Sequence, residues 1–141
     1  MRTIKFKGKL AHSGEWIEGN LIIAQNGNPY IIPFEVFEPD GHHLIIDSDD
    51  PHWVDEKSIS EFIGLTDDCG VELFENDIVK YWQPYAKREE IRIIRYDSSF
   101  ACFGLFKTID SDYCDESDWG KIQNIVKIGN YLDNSDLLVV S

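Results

Sequence analysis

The amino-acid sequence predicts a mostly β protein. Short segments in which apolar and polar residues alternate are separated by turn residues, and no apolar stripe of helical period is sustained. The regular spacing of these segments is typical of small barrels and sandwiches. The 141 residues, 43% of them hydrophobic and 13% aromatic, are enough to bury a core and too apolar for a disordered acidic tail.

The first part of the chain contains three predicted strands. Residues 3–9 alternate Ile4 and Phe6 with lysines, and residues 15–24 continue the pattern after a turn. A strong turn signal at Asn26-Gly27-Asn28-Pro29 precedes an apolar segment at residues 30–32. Pro33 should end this strand, because proline has no N–H for a sheet hydrogen bond.

The rest of the chain continues the β pattern after an irregular stretch. Residues 58–66 fit either a helix or a strand. Further strands are predicted from the apolar segments that follow, at residues 71–74, 78–81, 89–96, 100–106 and 122–131. We therefore expect an N-terminal β-rich part, residues 1–57, and a second part, residues 58–141.

The chain is acidic, with 26 Asp plus Glu against 13 Lys plus Arg and a net charge of −13. The charge is uneven, because residues 35–79 hold 14 acidic groups and one basic group, whereas residues 80–95 hold two acidic and five basic groups. A field of the overall sign repels nucleic-acid backbones and anionic lipid surfaces. We therefore expect neither nucleic acid nor a membrane as the partner, and a basic protein surface fits better.

No motif for catalysis or for metal binding is recognisable. The three cysteines, Cys69, Cys102 and Cys114, match no zinc or redox spacing. No nucleophile elbow, phosphate-binding glycine loop or zinc-protease motif occurs, so we expect a protein that is not an enzyme and needs no cofactor. His42, His43 and His52 lie near several aspartates, but their spacing fits no ligand pattern and a solvated loop is the better interpretation.

The N-terminal segment does not resemble a signal peptide. It alternates apolar with basic residues instead of presenting a continuous apolar run. The longest apolar stretches of the chain are far shorter than a membrane-spanning helix. A cytoplasmic location is the expectation.

Residues 61–81, EFIGLTDDCGVELFENDIVKY, resemble the signature of the YopX-like family of phage and prophage proteins. Residues 4–7 and 16–21, and the ending VKIGNYLDN at residues 126–134, are similar to other family segments. The resemblance implies a small SH3-like β-barrel preceded by an irregular β-rich N-terminal part, in a protein of phage or prophage origin acting in a bacterial cell. It implies no reaction and no catalytic residues.

The signature also has a structural interpretation. Asn76 stands where the family usually has glycine, and asparagine tolerates a positive φ angle. Together with three glycines it is expected to serve backbone geometry, while the apolar residues of the signature form core. The geometry positions are Gly64, Gly70, Asn76 and Gly129, and the core positions are Phe62, Leu65, Phe74, Ile78 and Val79.

The segment YWQPY at residues 81–85 is the leading candidate for partner contact. Aromatic residues beside a turn on a small β domain can form a groove for an extended peptide, so Tyr81, Trp82 and Tyr85 are the predicted contacts. Alternatively, one of Tyr81 and Trp82 faces the core and the other covers the opposite face of the sheet, as neighbouring residues of a strand do. The unknown partner would be a host or phage protein, and an acidic decoy of a host protein is one variant.

A nucleic-acid-binding small barrel is the alternative function. The basic residues of the stretch after residue 79 could form a stripe, although ion pairs with the many acidic residues are an equally good use. Homo-oligomers are a further possibility, because small β domains can pair their edge strands. The basic residues are Lys80, Lys87, Arg88, Arg92 and Arg95.

Overall fold

The structure, a computed structural model, describes residues 3–34 and 52–138. It is mostly β, as predicted, and the chain divides into two compact units, Met1–Phe62 and Ile63–Ser141. The division that we predict between residues 57 and 58 falls a few residues earlier. Residues 35–51, the first part of the acidic stretch at residues 35–79, lie outside the described residues, and so does the pair His42-His43.

The first unit is built on antiparallel strands. Its strands are β1 (Phe6–Lys9), β2 (Trp16–Ile23), β3 (Pro29–Ile32) and the start of β4 (Ser60–Thr66), and a short 3-10 helix spans Glu56–Ser58. The hydrogen-bonded order is β3-β2-β1-β4. Residues 58–66, which fit a helix or a strand by pattern, thus contribute a strand. Gly19 permits the close approach of β2 and β3, because a Cβ atom there would collide with the carbonyl of Ile32.

The second unit contains a four-stranded antiparallel sheet of order β8-β7-β6-β9. Its elements after the end of β4 are β5 (Glu72–Phe74), β6 (Asp77–Gln83), β7 (Arg88–Asp97), β8 (Cys102–Phe106), β9 (Gln123–Asn130) and a one-turn helix α1 (Tyr131–Asn134). Further 3-10 helices span Trp119–Lys121 and Ser135–Leu138.

Apolar side chains cover both faces of this sheet. Neighbouring residues of a strand point to opposite faces, and the adjacent pairs Ile78-Val79 and Ile93-Ile94 accordingly divide between two buried clusters. Leu73 and Tyr81 belong to the cluster that contains Val79 and Ile94. β6 and β7 are therefore the central strands of the unit.

The predicted SH3-like barrel is not confirmed, because no closed barrel forms within residues 3–34 and 52–138. In the second unit β8 and β9 lie at opposite edges of the sheet. Irregular segments form hydrogen bonds with some of the outward-facing backbone groups of these two strands. Leu105 N donates to Glu116 O over 2.8 Å, and Asp68 N donates to Ile125 O over 3.0 Å. The confirmed description is a mostly β chain with two antiparallel sheets.

Candidate functional site

The β6–β7 hairpin carries the three aromatic residues predicted as partner contacts. Tyr81 is only 2% exposed and belongs to the core, whereas Tyr85, in the turn, is 79% exposed. Trp82 is half-buried and, as the neighbour of Tyr81 on the strand, lies on the opposite face of the sheet. Tyr81 and Tyr85 border one cavity, which Trp82 does not reach.

This cavity, the hairpin cavity, has a volume of about 500 Å³, which is within the range of small-ligand sites. Its floor follows from the strand register, because Tyr81 pairs with Glu90 and Gln83 pairs with Arg88 across the two strands. Paired residues project from the same face, so all four side chains line the cavity together with Tyr85.

An ion-pair network forms one wall of the hairpin cavity. Arg92 Nη2 lies 2.8 Å from Glu90 Oε2, and Arg92 Nε lies 2.6 Å from Asp115 Oδ2. Arg88 Nε lies 2.5 Å from the other oxygen of Glu90. The guanidinium of Arg92 is largely buried, and each of its two pairs is a charge-assisted hydrogen bond that fixes its geometry.

The segment after β8 also borders the cavity, through Asp115. Asp115 N and Leu105 O share a hydrogen bond of 2.8 Å, which holds this segment along β8. Gly104 makes the approach possible, because a Cβ atom there would collide with the sulfur of Cys114. Burial raises the pKa of the Cys114 thiol, so this cysteine is a packing residue in its neutral form.

Lys107 is the cation of the cavity lining that forms no ion pair with a described residue. It borders the cavity, its side chain is exposed, and within residues 3–34 and 52–138 it forms no ion pair. By contrast, Arg88 and Arg92 both bind carboxylates. The cavity lining carries three cations against the carboxylates of Glu90 and Asp115, and the carboxylate of Glu116, which accepts from Gln83 Nε2, adds a third negative charge beside it.

Gln83 brings a polar group without a partner to the cavity. The side chain is 5% exposed, and its Nε2 donates to Glu116 Oε2 over a long 3.4 Å. Its Oε1 is buried and accepts no hydrogen bond from the described residues. Because a buried acceptor normally has a partner, Oε1 marks a position where a donor is needed.

Tyr81 adds a neutral hydroxyl to the same wall. Burial, the largest cause, raises the pKa of its phenol well above the ordinary value, although nearby Arg92 opposes the shift. The phenol therefore stays protonated at physiological pH and can donate a hydrogen bond. Sequence reasoning selected Tyr81 for its ring, while its polar strand neighbour Gln83 was missed.

Gln83 had a detectable signal in the sequence. It lies two residues from Tyr81, so strand alternation places it on the same inward face, where a polar side chain is unusual. Lys107 and Asp115 had no such signal, since they reach the cavity from a segment distant in sequence.

Three of the five basic residues after residue 79 are engaged by other groups of the chain. Arg88 and Arg92 bind carboxylates, and the Arg95 guanidinium lies 4.2 Å from the centre of the Phe106 ring while donating to the carbonyls of Thr108 and Ser111. These contacts engage three of the five cations on which the nucleic-acid alternative depends, whereas Lys80 and Lys87 form no ion pair with a described residue.

The signature segment forms a dense network of buried polar groups at the other end of β6. Asp77 is fully buried, its Oδ2 accepts from Phe74 N over 2.8 Å, and its Oδ1 lies 3.3 Å from Lys127 Nζ. Asp67 Oδ2 accepts from the backbone N–H of the same Lys127 over 2.9 Å. Asn76 adopts a positive φ of 72°, as its chemistry allows, and its carbonyl accepts from Tyr131 N.

Other signature residues match their predicted roles less uniformly. Gly64 and Gly70 have positive φ angles, and Gly129 faces Asn134 and Leu137 at distances too short for a Cβ atom. Phe74, Ile78 and Val79 are core residues as predicted, and Phe62 is partly buried. Leu65 is exposed, so its assignment to the core was wrong.

A second cavity of about 470 Å³ lies at the edge of the same unit, beside Trp119 and Ile122. Apolar side chains, including Leu73, form much of its wall, and the indole Nε1 of Trp119 already donates to Phe103 O over 3.1 Å. No unpartnered buried side-chain atom of the described chain points to a ligand there. The hairpin cavity is therefore the better candidate.

Two negative findings concern the described part of the chain. No group of three or more His, Cys, Asp or Glu side chains within residues 3–34 and 52–138 could hold a metal ion. Across those same residues, no helix has the length and apolar character needed to span a bilayer.

Comparison with known proteins gives a family and a similar solved structure. The family model described as YopX protein matches residues 12–139, nearly the whole chain. The crystal structure of protein EF1440 from Enterococcus faecalis is similar, with a TM-score of 0.59 and 26% sequence identity over 98% of this chain and 99% of that chain. No curated protein matches the sequence.

Proposed function

The chain belongs to the YopX protein family, and we propose that it is a non-enzymatic protein-binding module that recognises its partner at the hairpin cavity. The observation that carries the proposal is the exposed Tyr85 ring at the border of a cavity of about 500 Å³. Exposed tyrosines beside a pocket are typical anchors of protein interfaces, because the ring offers a large contact area with few rotatable bonds.

The ion pairs around the cavity support a role in recognition. Glu90 and Asp115 both bind Arg92, so this part of the cavity wall is formed without a partner. A preformed site loses less conformational entropy on binding than a flexible one. A host or phage protein in the bacterial cytoplasm is the partner that this proposal envisages, in keeping with the phage or prophage origin that it assumes.

Peptide selection tests the proposal directly. Full-length protein is immobilised and exposed to a displayed library of random peptides, and an enriched peptide is synthesised and titrated by fluorescence anisotropy. We expect Tyr85→Ala to weaken binding by about tenfold or more, as truncation of an interface anchor does.

Tyr113→Ala is the matched control, because Tyr113 is 83% exposed and does not border the cavity. It should leave the affinity unchanged within about twofold, as surface positions outside a contact do. The proposal is wrong if no peptide is enriched, or if the enriched peptides bind the Tyr85 and Tyr113 variants equally.

A further inference from the structure

We infer that the hairpin cavity binds an acidic peptide segment of the partner, with a backbone N–H of the segment donating to Gln83 Oε1 and a carboxylate pairing with Lys107. The inference rests on the proposed function and specifies the chemistry of the ligand. It starts from two unmatched groups of one cavity, a buried acceptor and a cation without an ion pair among the described residues.

The acceptor defines the first requirement. Gln83 Oε1 is buried and unpartnered, while Nε2 of the same amide already faces Glu116. Exchanging the amide atoms would turn an oxygen toward that carboxylate, so the orientation with Oε1 free is the favourable one. Because Oε1 is buried, the Gln83 side chain must turn toward the cavity for a ligand to reach it. The ligand must then present an N–H or O–H donor, and every non-proline peptide unit carries one.

The cation defines the second requirement. Lys107 borders the same cavity, and the other cations there, Arg88 and Arg92, have their carboxylates. A carboxylate of the ligand can pair with Lys107, whereas a positively charged donor cannot.

The two groups that the ligand needs, a backbone N–H donor and a carboxylate, occur together in an acidic segment of a polypeptide. Tyr85, at the border of the cavity, supplies an apolar face for the chain on either side of the acidic residue. An extended peptide also leaves its N–H groups unpaired before binding, which a helix does not.

Double-mutant cycles test the inference with the peptide selected on the full-length protein. The peptide is N-methylated one residue at a time, which removes one N–H donor in each variant. One position should weaken binding to the wild type by about tenfold but change binding to Gln83→Met by less than about threefold, since a pair in contact is non-additive. Gln123→Met is the control, because Gln123 is exposed and lies outside this cavity.

A second cycle examines the carboxylate. Replacing the acidic residue of the peptide by its amide should weaken binding to the wild type by about fivefold and leave binding to Lys107→Met unchanged. Lys121→Met is the control, because Lys121 is exposed at a distance from the cavity lining. Peptides with free and amidated C-termini distinguish a terminal carboxylate from that of a side chain.

The outcomes separate the two proposals. Coupling in both cycles supports the inference. Penalties that add in either cycle, with peptide binding that still depends on Tyr85, overturn the inference and leave the proposed function standing. Absence of any peptide that depends on Tyr85 overturns the proposed function itself.

Discussion

The two ends of β6 differ in whether their buried polar groups have hydrogen-bond partners. At its start, Asp77 is fully buried and both carboxylate oxygens have partners, Phe74 N and Lys127 Nζ. At its end, Gln83 is almost as deeply buried, yet its Oε1 has no partner among the described residues. A satisfied buried group contributes to folding, whereas an unsatisfied one costs stability and indicates a role other than folding.

The family signature lies at the satisfied end. Asp67, Asn76 and Asp77 of the signature all bind groups of the segment around β9. That segment contains residues 126–134, which are also similar to the family. The signature is therefore explained as a folding motif of the second unit. Of the residues that line the hairpin cavity, only Tyr81 belongs to the signature, so recognition there can differ between members that share the fold.

The largest effect on the free energy of unfolding is expected from substitution of Asp77. Asp77→Ala removes the carboxylate that faces Lys127 and the acceptor of Phe74 N, and loss of one partner of a buried pair costs about 3 kcal/mol or more. Urea denaturation monitored by tryptophan fluorescence measures the change in the free energy of unfolding. Asp77→Asn, which keeps an acceptor, should lose less and provides a measurable variant if the alanine variant does not fold.

Asp112→Ala is the control for this experiment, because Asp112 is an exposed aspartate of the same unit. It should change the free energy of unfolding by less than about 0.5 kcal/mol, as surface substitutions do. Equal effects of the Asp77 and Asp112 substitutions would contradict the assignment of Asp77 to a stabilising network.

The next largest effect is expected from Asp67, and it depends on pH. Burial by itself raises the pKa of the Asp67 carboxyl, but hydrogen bonds from the backbone N–H groups of Lys127, Val71 and Cys69 outweigh it and lower the pKa below its usual 3.8. A lowered pKa in the folded state contributes stability above the unfolded value and loses it as the pH falls through the folded value.

Asp67→Asn should therefore cost about 2 kcal/mol near neutral pH, the range of hydrogen bonds to a charged group, with a cost that shrinks below about pH 4. Denaturation midpoints across the pH range give the difference. Asp68→Asn is the matched control, since its neighbouring carboxylate is exposed and lies outside these bonds. A cost that does not change with pH would show that the charge of Asp67 is not what stabilises the turn.

Substitution of Gln83 should change the free energy of unfolding in the opposite direction. Gln83→Met keeps the shape of the side chain, removes the unsatisfied Oε1 and loses only the long contact with Glu116. We expect the free energy of unfolding to stay constant or rise by up to about 1 kcal/mol, because the desolvated acceptor is gone. A clear loss of stability would mean that Gln83 belongs to the folding network, and the contrast between the two ends of β6 would disappear.

The sequence predicts local structure here better than it predicts the site. Strand segments, turns and the positive φ of Asn76 follow from alternation and turn chemistry, which act between near neighbours. Closure of a barrel depends instead on pairing between strands that are distant in sequence, and the edges of β8 and β9 bind irregular segments. The hairpin cavity likewise combines residues that are near in sequence with residues that are distant, because Lys107 and Asp115 lie beyond the hairpin.

The smallest effect on stability, and the sharpest separation of folding from recognition, is expected at Tyr85. The ring is 79% exposed, so Tyr85→Ala should change the free energy of unfolding by less than about 0.5 kcal/mol. The same denaturation experiment, with Tyr113→Ala alongside it, measures this. If the variant is destabilised well beyond that amount, the ring supports the hairpin turn, and any loss of peptide binding would then reflect a damaged cavity instead of a missing contact.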